Sequence, residues 1–506
     1  MPSARLARLL TALLIAPASL AACSFLLEDS IEQCSSNDQC SSLRSGYVCD
    51  RAEGVCVREG GLGGSGGNGS SGGTNNPTAC SRTNKEVEVL PPEINRNTTL
   101  YCSKDYQLDG YVRVLPGATL TIQAGTRLLG GGSTGDNDQR GTLIVLPGAR
   151  VEADGRPDSP IVFTSAANPA RRGDWGGVAI LGKAPLNLRD AQGNPVQGEL
   201  DGVTEPILYG GDDPNDNSGF LRYVRIEYGG LALGLGSELN GLTLAGVGKG
   251  TTIDYVQVRE TLDDCFTFSG GTVDAKHLIC QGGFDDGFDI EQGYRGRLQF
   301  LVMQQRELPP DAFLPNGIEI ESDPSPTPPE PFTEPTIYNA TLCGHGNANA
   351  SSVEQYGLLL REGAKGHLFN MLVSGYDAGL DVRDATTVAN ANDNSLEVGS
   401  TLFYENVTND LAYAEEANGA DRTANDDGDF DESDWVTKRE GNGVTKPAGV
   451  GDCFDTRAMR LAPASPLTQG ATPPPNDGFF DPSAVYYGAF RNADDAWASG
   501  AWVVWQ

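Results

Sequence analysis

Six short segments in the middle of the chain share one pattern of apolar and polar positions. In each segment the third and fifth residues are large and apolar, and the second residue is glycine in five of the six. The segments are Asn240–Leu244, Asp264–Phe268, Asp286–Ile290, Asn316–Ile320, Tyr356–Leu360 and Ala378–Val382. Because side chains alternate between the two faces of a β-strand, these apolar residues lie on one face. The pattern therefore predicts short strands, each with one face turned into a core.

The spacing of these segments indicates a stacked repeat. Their first residues are 24, 22, 30, 40 and 22 positions apart, and strands that recur near 22 residues are typical of a solenoid. A second group of strand-like segments accompanies them: Tyr223–Ile226, Tyr255–Val258, His277–Cys280 and Phe369–Leu372. We therefore predict an all-β chain built around a right-handed parallel β-helix. Its apolar pairs should point inward in register, with Phe266 stacked on Phe288.

Changes in composition predict six parts of the chain. Cys34, Cys40, Cys49 and Cys56 lie in a stretch with few apolar residues, which indicates a module held by two disulfides. A zinc site is the alternative, although CxxC pairs are absent. The predicted parts are a signal peptide at residues 1–22, the Cys-rich module at 23–59, a flexible Gly/Ser linker at 60–79, the β-helix at 80–385, an acidic irregular insertion at 386–452 and a C-terminal cap at 453–506, in which Trp497, Trp502 and Trp505 cover the last coil.

The N-terminus carries the pattern of an export signal. Arg5 and Arg8 precede the mostly apolar run Leu9–Leu20, which is too short to span a membrane but suits a signal peptide. The run ends in Leu20-Ala21-Ala22-Cys23, which resembles the lipobox of bacterial lipoproteins. The resemblance implies cleavage before Cys23, acylation of that cysteine and, because Ser24 follows it, sorting to the outer membrane. We expect an anchored protein on the periplasmic face or at the cell surface.

The charge of the chain restricts its partners. The formal net charge is −32 at pH 7, which repels nucleic acid and anionic lipid and favours cations. We therefore expect no nucleic-acid partner. The expected partners are the membrane, reached through the lipid anchor, and a polysaccharide or another envelope protein.

Several blocks of the chain resemble a known group of proteins. The blocks are Gly173–Ile180, Asn240–Val247, Asp263–Gly271 and Tyr487–Phe490. They are similar to those of exported bacterial lipoproteins with a pectin-lyase-like β-helix. The resemblance covers most of residues 100–506 and implies the fold and the export, but it brings no settled activity.

One acidic motif carries candidate chemistry. Asp263-Asp264-Cys265 resembles the Asp-Asp-Cys of polygalacturonase-type glycosidases, which also use a β-helix. The resemblance implies a pair of carboxylates acting as acid and base across a glycosidic bond. One coil later the chain departs from that pattern, because Phe284-Asp285-Asp286 stands where the glycosidases have Gly-His-Gly.

The repeat separates these acidic residues into two kinds. Asp264 and Asp286 occupy the repeat position of Asn240, where an Asn or Asp side chain can hydrogen-bond its own turn. Asp263 and Asp285 lie outside that position and one coil apart, which makes them the candidate catalytic residues.

The same residues are also candidate metal ligands. Stacked carboxylates repel one another unless a cation lies between them, and calcium takes six to eight oxygen ligands. The predicted calcium ligands are Asp263, Asp285, Asp289 and Glu291, with a second acidic loop containing Asp427, Asp429 and Asp431. Solvent-exposed acidic residues without an ion are the alternative for both places.

Two functions follow from these patterns. The favoured one is a lipid-anchored envelope protein, not a catalyst, that presents loops to a glycan or an envelope partner. The alternative is a β-helix enzyme that degrades polysaccharide as a hydrolase or a lyase.

Overall fold

The chain divides into two compact units, Met1–Ser71 and Gly72–Gln506. The computed structural model describes residues 47–50, 55–58, 80, 85–131, 140–203, 205–234, 237–305, 316–325, 327–346, 355–406, 409–412, 430–451 and 463–505. In the first unit, β1 (Tyr47–Asp50) and β2 (Val55–Arg58) form an antiparallel pair with Cys49 opposite Cys56. Cys23, Cys34 and Cys40 lie outside the described residues.

The second unit is a parallel β-helix. One long sheet, sheet 1, is built from short strands that follow one another from coil to coil. Within the described ranges its strands are β4 (Glu93–Ile94), β7 (Tyr111–Val114), β10 (Thr142–Val145), β13 (Gly177–Leu181), β19 (Leu242–Ala245), β21 (Phe266–Ser269), β23 (Phe288–Glu291), β25 (Ile318–Glu321), β27 (Tyr356–Arg361), β29 (Ala378–Val382) and β31 (Asn409–Ala412).

Sheet 2 forms the remaining sides of the coils. In the same ranges its strands are β3 (Val87–Val89), β5 (Thr98–Leu100), β6 (Asp105–Leu108), β8 (Thr119–Gln123), β9 (Arg127–Gly130), β11 (Arg150–Asp154), β12 (Ile161–Ser165), β16 (Gly219–Glu227), β20 (Thr252–Arg259), β22 (Asp274–Gln281), β24 (Arg297–Gln304), β26 (Thr336–Cys343), β28 (Gly366–Ser374) and β30 (Leu396–Tyr404). The long strand β16 pairs with β11 through its first half and with β12 through its second half. It therefore turns a corner between two sides of the coil.

Elements outside the two sheets are short. Two antiparallel pairs lie between coils, β14 (Gly198–Glu199) with β15 (Leu208–Tyr209) and β17 (Leu231–Gly234) with β18 (Ser237–Leu239). The helices of the described residues are α1 (Ala385–Asp393) and α2 (Glu432–Thr437). None of the helices in this part of the chain has the length and apolar character needed to cross a membrane.

The predicted apolar ladders are confirmed. Phe266 pairs in register with Leu242 on one side and with Phe288 on the other, and Ile318 follows Phe288. The Phe266 and Phe288 rings stack with their centroids 5.2 Å apart. All the predicted inward residues have no exposed surface, namely Leu242, Leu244, Phe266, Phe268, Phe288, Ile290, Ile318, Ile320, Leu358, Leu360, Leu380 and Val382.

The corner within sheet 2 is made by a column of residues in the left-handed backbone region. Each long strand of this sheet contains one such residue, with φ between 46° and 63°: Tyr223, Tyr255, His277, Phe300, Asn339, Asn370 and Ser400. Aromatic residues rarely adopt this conformation. Here the rings stack on their neighbours, with centroids 4.5 Å apart for Tyr223 and Tyr255 and 4.2 Å apart for Tyr255 and His277. These contacts offset the backbone cost of the corner.

Residues 463–505, the C-terminal strap, run along this corner. At one end, Asn370 exchanges two hydrogen bonds with the backbone of Thr472, at 2.7 and 2.8 Å. At the other end, Gln257 does the same with Val504, at 2.8 Å each. Trp502 packs edge-on against Tyr255 between these points. The strap therefore lies along the side of the β-helix, because the side-chain amides of the corner supply hydrogen-bond partners for the backbone of the strap. This corrects the expectation that Trp497, Trp502 and Trp505 cover the last coil.

The β-helix also continues past residue 385, the end expected from the sequence. β30 pairs with β28, and β31 pairs with β29, so both sheets extend into the segment expected to be an irregular insertion. Leu396, Val398 and Phe403 are buried in the same core. α1 fills the turn before this coil, with Asp384 as its N-cap, and this helix interrupts the strand spacing that the prediction used.

The stacked ladder gives a stability prediction. Phe288→Ala should lower the free energy of unfolding by about 3–5 kcal/mol, because it removes a buried ring and leaves a cavity between two coils. Denaturant unfolding of the purified protein measures this change. The control is Tyr101→Ala, since Tyr101 is 58% exposed and its loss should change stability by less than about 0.5 kcal/mol. Equal effects of the two substitutions would show that the ladder does not stabilise the fold.

Candidate metal centre

A ladder of side-chain hydrogen bonds links the turns that precede the strands of sheet 1. Asp264 Oδ1 accepts from the backbone N–H of Asp286 at 2.9 Å, and Asp286 Oδ1 accepts from that of Asn316 at 2.7 Å. Asn316 Oδ1 continues the ladder by accepting from the N–H of Tyr356 at 3.1 Å. The sequence predicted that Asp264 and Asp286 bond their own turns, whereas these bonds join consecutive coils. Asp264 also accepts a hydrogen bond within its own coil, from the Thr267 hydroxyl at 3.0 Å.

Three carboxyl groups converge beside this ladder. Asp263 and Asp264 lie in the turn before β21, and Asp285 lies in the turn before β23. One oxygen of each lies within 4.8 Å of the others. Asp263 is 3% exposed, and its buried Oδ2 has no hydrogen-bond partner, whereas Asp285 is partly exposed. The three residues form a pocket of oxygen atoms that is open to solvent on the Asp285 side, and we call them the carboxylate cluster.

A disulfide holds one turn of the cluster in place. Cys265, next to Asp264, is bonded to Cys280 of β22, with their Cα atoms 5.6 Å apart. Sequence reasoning expected disulfides in the N-terminal module but assigned no partner to Cys265. The bond ties the turn before β21 to sheet 2, so the cluster is held in position by covalent as well as hydrogen bonds.

Burial and mutual repulsion raise the proton affinity of the cluster. Burial and, to a smaller extent, the nearby carboxylate of Glu238 raise the pKa of Asp263 to about 7, against a backbone hydrogen bond that lowers it. The pKa values of Asp264 and Asp285 lie well above the usual range, first because of burial and then because of the neighbouring cluster carboxylates. Within the part of the chain that the structure describes, none of the three forms an ion pair with Lys or Arg. A proton or a bound cation must therefore offset their charge.

The donor set fits a hard divalent cation. Calcium takes carboxylate, carbonyl and water oxygens in flexible geometry at 2.3–2.6 Å, while magnesium demands a near-ideal octahedron. Three carboxylates on two coils, with one open side for water, suit the more adaptable ion. Asp263, Asp264 and Asp285 would hold it, and Asp264, which the sequence analysis assigned only to a turn, would be one of the ligands.

The other two predicted ligands on this face, Asp289 and Glu291, belong to a neighbouring group. They lie on β23, where Glu291 accepts a hydrogen bond from Ser269 Oγ at 2.6 Å. Next to them on β25 are Glu319 and Glu321, which pair with Arg361 at 2.5 and 2.7 Å. Arg361 thus offsets part of the negative charge of this group. Sequence reasoning missed the glutamates of β25, although they stand in the repeat at the positions of Asp289 and Glu291.

The second predicted calcium loop is only partly described. Asp427 and Asp429 lie outside the described residues. Asp431 caps the N-terminus of α2, where its Oδ1 accepts from the backbone N–H of Asp434 at 2.7 Å. Its carboxylate therefore has a structural role at that helix, away from the carboxylate cluster.

The arginines that could attract an anionic polysaccharide do not gather at the cluster. Arg259 pairs with Glu227 on sheet 2 at 3.4 Å. Arg297 pairs with Asp274 and with Asp477 of the strap, and the partner of Arg295 is Glu334. All three arginines are therefore paired with carboxylates outside the cluster, and Arg172, whose guanidinium lies over the ring of Phe284 beside Asp285, pairs with Glu260.

Comparison with known protein families identifies the family of this chain. Residues 92–448 match the family described as a pectate-lyase like beta helix domain, and the chain belongs to this family. Among solved structures it is similar to the crystal structure of pectate lyase Pel9A, with 12% identity and a TM-score of 0.31 over 74% of this chain and 88% of that chain. No curated protein matches the chain.

The raised pKa values predict that the metal-free protein becomes less stable as the pH rises. Asp263 has a pKa of about 7 in the fold and a usual value of 3.8, so the folded state binds more protons than the unfolded state between these values. Stability should therefore fall as the pH rises from about 5 to about 8. Thermal unfolding in EDTA across this range measures the effect. Asp263→Asn should make the slope shallower, and a slope that it leaves unchanged would contradict the assignment.

Proposed function

We propose that this protein is a lipid-anchored protein of the bacterial outer membrane that binds calcium at the carboxylate cluster and presents its β-helix to a glycan or another envelope protein without cleaving it. The observation that carries the calcium site is the convergence of three carboxyl groups with no cationic partner in the described chain. Burial of like charges costs several kcal/mol unless they are compensated, and calcium outside the cytoplasm supplies that compensation.

The cluster also joins two coils, which gives the ion a structural role. Asp263 and Asp264 belong to one coil and Asp285 to the next. A cation between them replaces repulsion with attraction along the axis of the β-helix. Calcium would therefore act as a clip between coils and hold the loops of this region in one conformation for a partner.

The anchor rests on the N-terminal sequence. The positive residues Arg5 and Arg8, the apolar run and the Leu-Ala-Ala-Cys23 motif together support export and acylation. Two or three acyl chains give stable membrane attachment, since each buried methylene contributes about 0.8 kcal/mol. The even number of cysteines left after Cys23 suits an oxidising compartment.

The binding role is favoured over catalysis by the surroundings of the cluster. Glycoside hydrolysis needs one carboxyl group kept protonated beside one kept ionised, with space for the sugar between them. Here one oxygen of each of three carboxyl groups lies within 4.8 Å of the others, which suits a shared ion better than an inserted pyranose. The acidic surroundings and the paired state of Arg259, Arg295 and Arg297 also disfavour an anionic substrate.

Direct calcium titration tests the site. Isothermal titration of the EDTA-stripped, dialysed protein should show calcium binding in the range of about 10⁻⁴–10⁻³ M or tighter, as in extracellular calcium modules. Asp285→Asn should weaken it at least about tenfold, because a charged ligand is lost. The matched control is Asp212→Asn, an exposed carboxylate outside the cluster. Equal affinities of the two variants would refute the proposed site.

Acylation is tested at the cysteine itself. Cys23→Ala should abolish incorporation of labelled fatty acid in cells and leave the N-terminal segment uncleaved. Cys343→Ala is the control, because Cys343 lies in β26 and is disulfide-bonded, so its loss should leave labelling intact. Mass spectrometry of the N-terminus checks both. Unchanged labelling in Cys23→Ala would exclude the anchor.

A further inference from the structure

A cavity of about 480 Å³ lies between the C-terminal strap and the aromatic corner of sheet 2. Two of its lining residues, His277 and Phe300, belong to the left-handed column of β22 and β24. The strap supplies the rest of the lining, including Tyr486, Arg491 and Trp497. Its volume falls in the range of roughly 300–1,000 Å³ that is typical of small-molecule sites.

One wall of this strap cavity is aromatic and rigid. Phe300 is 6% exposed and Tyr486 is 7% exposed, so each presents only a small surface to the cavity. Trp497 contacts His277, with ring centroids 5.0 Å apart, and is held from behind by Phe490 at the same distance. Its indole N–H donates to Ala489 O at 3.0 Å. The aromatic wall is thus formed before any ligand enters.

The polar groups of the cavity include both donors and acceptors. His277 Nδ1 lies 2.7 Å from Asp254 Oδ1, which orients the ring, and its Nε2 makes no hydrogen bond within the described chain. The Tyr486 hydroxyl likewise has no hydrogen-bond partner in the described residues. Arg491 and Asp494 add an exposed guanidinium and an exposed carboxylate. These groups can bind a ligand whose hydroxyls both donate and accept.

We propose that the strap cavity binds a neutral pyranose unit of a glycan chain. The partly exposed indole of Trp497, with donors and acceptors around it, matches the apolar face and the hydroxyl edge of a sugar ring. The carboxylates of Asp481, Asp494 and Asp495 line the cavity beside one arginine, and the net charge of the chain is −32, so an anionic sugar is disfavoured. The proposal rests on the glycan-binding part of the proposed function and names both the site and the class of sugar.

The site is independent of the carboxylate cluster. His277 and Phe300 belong to strands of sheet 2, whereas Asp263 and Asp285 precede strands of sheet 1. Sugar binding at the strap should therefore persist when calcium is removed. Measuring sugar binding with and without calcium therefore distinguishes an error in the sugar site from an error in the calcium site.

The test is a titration of the full chain with neutral hexasaccharides of glucose, mannose and galactose. Calorimetry and tryptophan fluorescence measure the binding. At least one of them should bind with a dissociation constant below about 10⁻³ M, with a fluorescence change and with the same affinity in EDTA. Tyr486→Phe and Asp494→Asn should each weaken binding by about tenfold while the melting temperature stays the same, and Asp212→Asn should have no effect.

Three results would overturn the proposal. They are the absence of binding by every neutral oligosaccharide, affinity that both cavity variants leave unchanged, and preference for an anionic oligogalacturonide. Loss of binding in EDTA would place the sugar at the carboxylate cluster instead of the strap cavity.

Discussion

The in-register stacking of successive coils governs every other feature of this protein. Neighbouring strands lie about 4.7–4.9 Å apart, so a residue at one position of a coil is held against its equivalents in the coils before and after it. For apolar side chains this constraint is favourable, and Phe266 and Phe288 form a buried stack. For carboxylates it is unfavourable, because the register that places Phe266 on Phe288 also places Asp263 beside Asp285. The acidic centre is therefore a consequence of the fold, and the protein must compensate its charge.

The two acidic groups of sheet 1 are compensated differently. Along β23 and β25, Arg361 of the next coil pairs with Glu319 and Glu321. The carboxylate cluster has no such arginine in the described chain, and burial and repulsion raise the pKa values of its carboxyl groups, as they also do for Asp289, Glu291 and Glu321 of the neighbouring group. In the proposed function, a calcium ion would compensate the charge of Asp263, Asp264 and Asp285 as Arg361 compensates that of the glutamates.

The sequence predicts the parts of the structure that repeat and misses the parts that do not. Period-two alternation was enough to place Phe266 and Phe288 on the inner face, and the 22-residue offset was enough to bring Asp263 to Asp285. The left-handed corner at His277 was missed although the sequence carries a signal of it, because the bend adds one residue to the alternation and the inward residues Ala275, Leu278 and Cys280 are spaced by three and then by two. The path of the strap was missed because Gln257 and Val504, which bind each other, are 247 residues apart. Strand β30 was missed because α1 interrupts the regular spacing of strands along the chain. Asp264 was interpreted as a turn residue only, because nothing in the local sequence shows that the fold brings its carboxyl group to those of Asp263 and Asp285.

The central claim is that Asp263, Asp264 and Asp285 hold a divalent cation between two coils. A crystal structure of the protein grown with calcium and then soaked in a lanthanide tests it most directly, because the anomalous signal locates the ion without reference to the protein. The account predicts one strong peak at about 2.3–2.6 Å from carboxylate oxygens of these three residues. A peak elsewhere on the acidic surface, with the cluster carboxylates bound only to each other and to water, would contradict it.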